Sequence, residues 1–265
     1  MTEPFAPVNS ADRAPVFGGV GVALVTLFTA DGAADPVSTG KLASGLVARG
    51  MRAVLVCGTT GEAATLSDEE RAALVRAVRA ALPADVPVLA GTGAPSVRQA
   101  AALTTTAVQA GADAVLAFPP PGSRDLAGYY TAVAAAAGGR PVLAYHFPRV
   151  SAPGIPVQAL AGLPVTGLKD SSGDPDRLLD ELASYRGATY VGSSAVLALA
   201  GPMGAAGAIL ALANIEPERC VAAFAGDAGV QRELAGPHLA VTRDGPAALK
   251  AVLAGTHGTG PWTRA

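Results

Sequence analysis

Short apolar runs alternate along the chain with stretches in which apolar residues return every three or four positions. The first run, Gly21-Val22-Ala23-Leu24-Val25-Thr26-Leu27-Phe28, reads as a strand, and Leu42, Leu46 and Val47 then fall at helical spacing before Gly50. Ala53 to Cys57 is continuous and β-branched, as a strand covered on both faces should be. It ends in Gly58-Thr59-Thr60-Gly61-Glu62. Ser67 to Glu70 is a capping box that opens a helix running to about Leu82. Strand 3 is expected over Val86–Gly93, and a second capping box, Ser96 to Gln99, opens the next helix. Ala114–Ala117 gives strand 4, cut off by Pro119-Pro120-Pro121, and a helix around Tyr129 to Ala137 leads to strand 5, Val142–Tyr145. The run Leu163–Leu168 gives strand 6, which carries Lys169, and Asp174-Pro175 starts the helix after it. Thr189–Gly192 and Gly207–Leu210 give strands 7 and 8, with a helix near Ala195–Ala200 between them.

This alternation implies a parallel sheet with right-handed crossovers. Eight such units in about 200 residues suit an α/β fold of one (β/α)8 TIM barrel better than an open doubly wound sheet. No Gly-x-Gly-x-x-Gly stands at strand 1, which weakens a dinucleotide reading. The expected layout is a loose N-terminal tail over 1–17, the barrel over 18–215, and a short C-terminal helical extension and tail over 216–265.

Composition narrows the function. The chain has 265 residues, 50% of them hydrophobic, enough for one large core. A net charge of −2 and no basic stripe speak against nucleic acid and against an anionic membrane surface. Cys57 and Cys220 are the only cysteines, and the three histidines are scattered, so neither a disulfide framework nor a metal cluster is visible. The first residues lack the apolar core of a signal peptide, and no apolar segment is of membrane length, so the expectation is a cytoplasmic protein.

In a barrel the carboxyl ends of the strands meet on one face. Strand 2 would deliver Thr59 and Thr60 there, strand 5 Tyr145, and strand 6 Lys169. A lysine packed in apolar surroundings resists charging and can attack a ketone to form a Schiff base, an electron sink. A phenol can carry protons to and from the carbinolamine. Hydroxyls and backbone N–H groups in a Gly-Thr-Thr-Gly turn can hold a small carboxylate. Each residue also has a plain structural role open to it. Lys169 could snorkel to solvent, Tyr145 could pack the rim, and the glycine turn could be only a turn. Glu62 reads as an acceptor for loop N–H groups, not as a base. His146 points away from Tyr145 by strand alternation, behind the site or into the core. Arg149 could meet an acidic substrate or simply be exposed.

At these residues the sequence resembles the dihydrodipicolinate synthase / N-acetylneuraminate lyase family, the pyruvate-dependent class I aldolases. The resemblance runs from about Gly18 to about Lys250. It rests on Ala23–Phe28 with Asp31-Gly32, Gly58–Glu62 with Thr65-Leu66, Gly91-Thr92-Gly93, Tyr145-His146-Phe147-Pro148, Gly167–Asp174, and Gly204–Ile209 ending in Ala213-Asn214-Ile215. One such motif is weak, but this many in order at family spacing are strong. The resemblance implies Lys169 as the Schiff-base lysine, Tyr145 as the proton-transfer phenol and Thr59 as a relay hydroxyl. It implies Thr60, with the Gly58 turn, as carboxylate binder, and Ile209 as a backbone lining of the pyruvate pocket. It further implies a homo-oligomer, a dimer or a tetramer built from dimers, with no metal or organic cofactor. Pyruvate and an aldehyde would be the substrates.

Three departures bear on the second substrate. The family's lysine-pathway synthases carry a Pro-Tyr-Tyr segment after strand 4, one tyrosine of which serves the neighbouring subunit's site, and here the chain reads Phe118-Pro119-Pro120-Pro121-Gly122. Their arginine two residues past the Tyr-Asn-x-Pro proline is Val150 here, with Arg149 one residue early. A Gly-Asp pair after strand 7 is Gly192-Ser193. The leading expectation is therefore an aldolase or lyase acting next to pyruvate or a related 2-oxo acid, on a hydroxylated 2-oxo acid. An authentic 4-hydroxy-tetrahydrodipicolinate synthase comes second and an imine-dependent hydratase or dehydratase third. From a different class, a non-catalytic barrel that binds a small acid is the rival, though mere binding needs no nucleophile.

Overall fold

The computed structural model describes residues 14–264. Of the expected N-terminal tail, residues 1–13 lie outside the described residues. Eight strands close into a parallel barrel in chain order: β1 (Gly19–Ala23), β2 (Val54–Val56), β3 (Val88–Gly91), β4 (Ala114–Ala117), β5 (Val142–His146), β6 (Gly167–Asp170), β7 (Ala188–Val191) and β8 (Gly207–Leu210). β8 pairs back onto β1, with Gly19 opposite Gly207. The expected (β/α)8 barrel is thus the fold.

Successive residues of each strand serve two cores, which is why the runs read as unbroken hydrophobics. Leu55, Leu89, Leu116, Leu143 and Ile209 fill the barrel. Val54, Val88 and Val115 face outward to the helices. Tyr190 and Phe17 stack at 4.8 Å inside, and Tyr190 donates its hydroxyl to the Phe17 carbonyl at 2.9 Å. The outer layer comprises α1 (Pro36–Ala48), α2 (Asp68–Ala81), α3 (Val97–Gln109), α4 (Leu126–Ala137), α5 (Pro175–Ser184), α6 (Leu197–Ala200) and α7 (Pro217–Phe224). Then α8 (Ala228–Glu233), α9 (Ala235–Asp244) and α10 (Pro246–His257) bring the chain back to the barrel's carboxyl end. Among the described residues no helix is long and apolar enough to cross a membrane.

Several boundaries differ from expectation, most of them where a side chain takes over a backbone hydrogen bond. The first apolar run was expected to be strand through Phe28, but the ladder ends at Ala23. Beyond it, Val25 N–H donates to Asn214 Oδ1 and Leu27 N–H to Thr39 Oγ1, each at 3.1 Å. The run stays buried while leaving the sheet. Asn214, itself fully buried, also donates to the Ala23 carbonyl at 2.8 Å and so ties the end of β1 to the turn after β8. β3 is shorter than Val86–Gly93. The helix expected from Tyr129 begins at Leu126, because Asp125 accepts the Gly128 N–H at 2.7 Å. The Ser67–Glu70 capping box is complete. The one expected at Ser96 is only half formed: Ser96 Oγ accepts the Gln99 N–H, but the Gln99 side chain takes the Ser96 hydroxyl instead of its N–H.

Candidate active site

A cavity of about 310 Å³ opens at the carboxyl ends of the strands. Thr59, Thr60, Tyr145, Arg149 and Lys169 all line it. Lys169 is on β6, directly between Tyr145 of β5 and Tyr190 of β7 in register. It is only 4% exposed. Its Nζ lies 4.6 Å from the centroid of the Tyr145 ring. It does not snorkel to solvent. Tyr145 is held by Phe147, stacked at 5.7 Å, and by Phe118 at 6.1 Å. The phenol is therefore fixed over the amine and not free on the rim.

The strand end behind Lys169 is stiffened from outside. Asp170 points the other way, accepting from Ser172 N–H at 2.7 Å and Ser172 Oγ at 2.9 Å. Gly192 N–H donates to the Asp170 carbonyl, and Ser171 N–H to the His146 carbonyl, so the ladder continues past the lysine on both sides. His146 does face away from the site, as alternation predicts. Its Nδ1 accepts the Ile155 N–H at 2.9 Å. Burial, then the nearby Arg177 charge, lowers its pKa to about 4, so it is neutral at ordinary pH, with the ring proton on Nε2. Behind it, Arg177 Nε lies 2.9 Å from Glu181 Oε1 and 3.5 Å from Asp170 Oδ2. One half-buried cation thus serves two buried carboxylates.

Opposite the lysine, Thr59 and Thr60 occupy a 3-10 turn, Thr59–Gly61. The turn closes because the Gly58 carbonyl accepts the N–H groups of Gly61 and Ala63. Gly58 supports the turn and does not itself line the cavity. Ile209, expected to line the pocket through its backbone, is likewise not among the residues that line the cavity. It fills the barrel interior, and the wall beside β8 is made by Leu210, Ala211 and Leu212. The Glu62 carboxylate accepts the Arg264 backbone N–H, and it also forms an ion pair with Lys250 that the sequence did not announce.

The structure adds groups that were not singled out. Ser171 Oγ donates to the Tyr145 hydroxyl at 3.3 Å. Strand alternation carried this signal, since 169 and 171 share a face. Ser194 and His238 also line the cavity, with Ser194 Oγ 2.8 Å from His238 Nδ1. His238 comes from α9, far along the chain, and nothing local marks it. The loop after β4 is anchored to its own chain. Tyr129 donates to the Phe118 carbonyl at 2.7 Å, Ser151 to that of Pro119, and Gly122 N–H to that of Ala152. Arg149 and Val150 are exposed. A larger cavity of about 430 Å³, between α1 and residues 258–262, contains none of the expected site residues.

A closed parallel barrel with a buried lysine at a strand's carboxyl end, a phenol over it and hydroxyls around it is built for class I aldolase-type chemistry. Comparison with known proteins agrees. The model of the dihydrodipicolinate synthetase family matches residues 16–235. The 4-hydroxy-tetrahydrodipicolinate synthase of Thioalkalivibrio sulfidiphilus is 36% identical over 226 residues, covering 80% of this chain and 76% of that protein. The synthase of a Synechococcus strain is 42% identical over 144 residues, which span 52% of this chain and 48% of that one. Among solved structures, the chloride-inhibited dihydrodipicolinate synthase from Acinetobacter baumannii, complexed with pyruvate, superposes with a TM-score of 0.81 at 29% identity, covering 92% of this chain and 89% of that one. The chain belongs to the dihydrodipicolinate synthetase family, and with it to the Schiff-base, class I aldolase-type lyases.

Proposed function

We propose that this enzyme makes or breaks a carbon–carbon bond next to pyruvate or a related 2-oxo acid, held as an imine on Lys169. The observation that carries the reading is the placement of Lys169, 4% exposed, with Nζ 4.6 Å from the Tyr145 ring, in a cavity shared with Thr59 and Thr60. The neutral amine adds to the keto carbon. The carbinolamine oxygen leaves as water with a proton handed on by Tyr145. Loss of a proton from the carbon next to the imine gives an enamine, which adds to an aldehyde carbon; hydrolysis then frees Lys169. In the cleavage direction the same steps run backwards. Ser171, at 3.3 Å, and Thr59, on the facing rim, are the hydroxyls available to pass protons between Tyr145 and solvent. Thr60 and the turn above Gly58 face the 2-oxo acid's carboxylate. The imine is itself the electron sink, so the reading calls for no metal or organic cofactor.

The second substrate meets Arg149, Ser193, Ser194 and His238 on the outer wall. These are mostly neutral hydroxyl and imidazole groups, and burial keeps His238 below the usual imidazole range. That wall suits a hydroxylated aldehyde, and hence a hydroxylated 2-oxo acid as product or substrate. The names of the relatives favour a second reading, 4-hydroxy-tetrahydrodipicolinate synthesis from aspartate semialdehyde. The self-anchored proline loop and the exposed Val150 weigh against it. The test is consumption of pyruvate with a panel of aldehydes. Turnover with hydroxylated aldehydes and none with aspartate semialdehyde is expected; the reverse would establish the second reading. Assembly into a homo-oligomer, resting on the family resemblance, and a cytoplasmic setting, resting on the sequence pattern, belong to the same proposal.

A further inference from the structure

Resting on that reading, we infer that Lys250 and the segment Trp262–Arg264 are positioning groups for the Thr59–Thr60 turn, acting through Glu62. Glu62 ends the turn: its N–H donates to the Thr59 carbonyl at 3.1 Å, and its carbonyl accepts the Thr65 N–H at 2.9 Å. It sits in the left-handed region, at φ 54°, a conformation that a residue with a side chain keeps only when its surroundings hold it there. Its side chain is 1% exposed and its carboxylate is gripped from the far end of the chain. Lys250 Nζ donates to Oε1 and the Arg264 N–H to Oε2, the latter at 2.7 Å. Lys250 is fully buried and also donates to the Trp262 carbonyl at 2.9 Å, which fixes the segment's approach.

Arg264 extends the grip along the same stretch of chain. Its guanidinium donates to the Thr65 carbonyl at 3.0 Å and to the Gly32 carbonyl at 2.6 Å. It forms a two-pronged pair with Glu70, in the first turn of α2. That pair holds the Glu70 carboxyl at about 2, well below the usual range. The Phe28 ring lies beside both cations, 4.2 Å from Lys250 Nζ and 4.6 Å from Arg264 Cζ. None of Glu62, Lys250 and Arg264 lines the active-site cavity, whereas Leu249, next to Lys250 on α10, does. One helix therefore forms part of the cavity wall and secures the turn that faces the substrate carboxylate. Without the Arg264 guanidinium, the segment whose backbone holds Glu62 and Lys250 loses its hold on Gly32, Thr65 and Glu70, and the turn at Thr59 is released.

The experiment measures borohydride trapping as a function of pyruvate concentration in the full chain, with melting temperature read alongside. In Arg264→Ala, the concentration giving half-maximal trapping rises roughly 10-fold or more, while trapping at saturation changes little. Arg264→Lys, which keeps the charge but not the fork, recovers part of the loss. An unchanged half-saturation, with or without a lower melting temperature, overturns the inference and leaves Lys169 chemistry standing. If Arg264→Ala does not fold, Glu70→Gln loosens the same grip and must show the same rise; no rise there overturns it equally. A wild-type chain that forms no adduct overturns the reading of Lys169 itself, and the inference with it.

Discussion

Lys169 passes through the space that a side chain at position 192 would occupy. A Cβ on Gly192 would overlap Ser171 Oγ and stand 2.8 Å from Lys169 Cε. Glycine is needed here for close approach, not for an unusual backbone angle. Gly192→Ala should therefore displace the lysine or the Ser171–Tyr145 contact while leaving the barrel folded. The expected result is a loss of about 100-fold or more in the exchange of pyruvate methyl protons for deuterium, followed by NMR, with an unchanged circular dichroism spectrum. Full exchange activity would show that the amine does not take this path. At this scale the sequence was readable where period-two alternation applies. Lys169, Tyr145 and the outward His146 follow from it, and so does Ser171, although its role shows only once its hydroxyl is seen beside the phenol. Gly192 was noted only as half of a departed Gly-Asp pair, because close approach is a three-dimensional fact.

The β6–α5 unit carries a cluster of buried charge. Arg177 faces Asp170 from the strand and Glu181 from its own helix, and His146 on β5 adds no positive charge because it is neutral. Asp170 takes two hydrogen bonds from Ser172, whereas Glu181 has no such support. The surplus proton therefore belongs on Glu181. Burial, then the Asp170 charge, raises its pKa to about 8, against the pull of Arg177. The folded state then binds a proton that the unfolded chain releases above a pH of roughly 4.5. Glu181 accordingly supports the fold fully at low pH, and that support is lost as pH rises through about 8. Glu181→Gln keeps the neutral shape without the titration. Its melting temperature relative to wild type should climb from pH 5 to pH 8. Each pKa unit of linkage is worth ~1.4 kcal/mol, and each kcal/mol is roughly 2–4 °C in a chain of this size. A flat difference across that range would contradict the assignment. Element order was legible from apolar runs and caps. Element ends were not where Asn214 or Thr39 replaced a backbone partner, since those pairings span 189 and 12 residues.

Across the whole molecule, the barrel supplies the chemistry and the last helices enclose it. The strand ends bring together Lys169, Tyr145 and the Thr59–Thr60 turn, all of which the strand–turn rhythm places on one face. His238 of α9 and Leu249 of α10 reach the site from beyond β8, and Lys250 pairs with Glu62 behind it. No periodicity connects residue 250 to residue 62, so this half of the site had to be seen folded. On the proposed reading, the same division separates the chemistry at Lys169 from the choice of aldehyde. The most direct measurement is the intact mass of the protein after incubation with pyruvate and sodium borohydride, with Lys169→Ala as the control. The account predicts a single pyruvyl-sized gain in the wild-type chain and none in the variant. No gain with pyruvate, repeated across several 2-oxo acids, or an equal gain in Lys169→Ala, would contradict it.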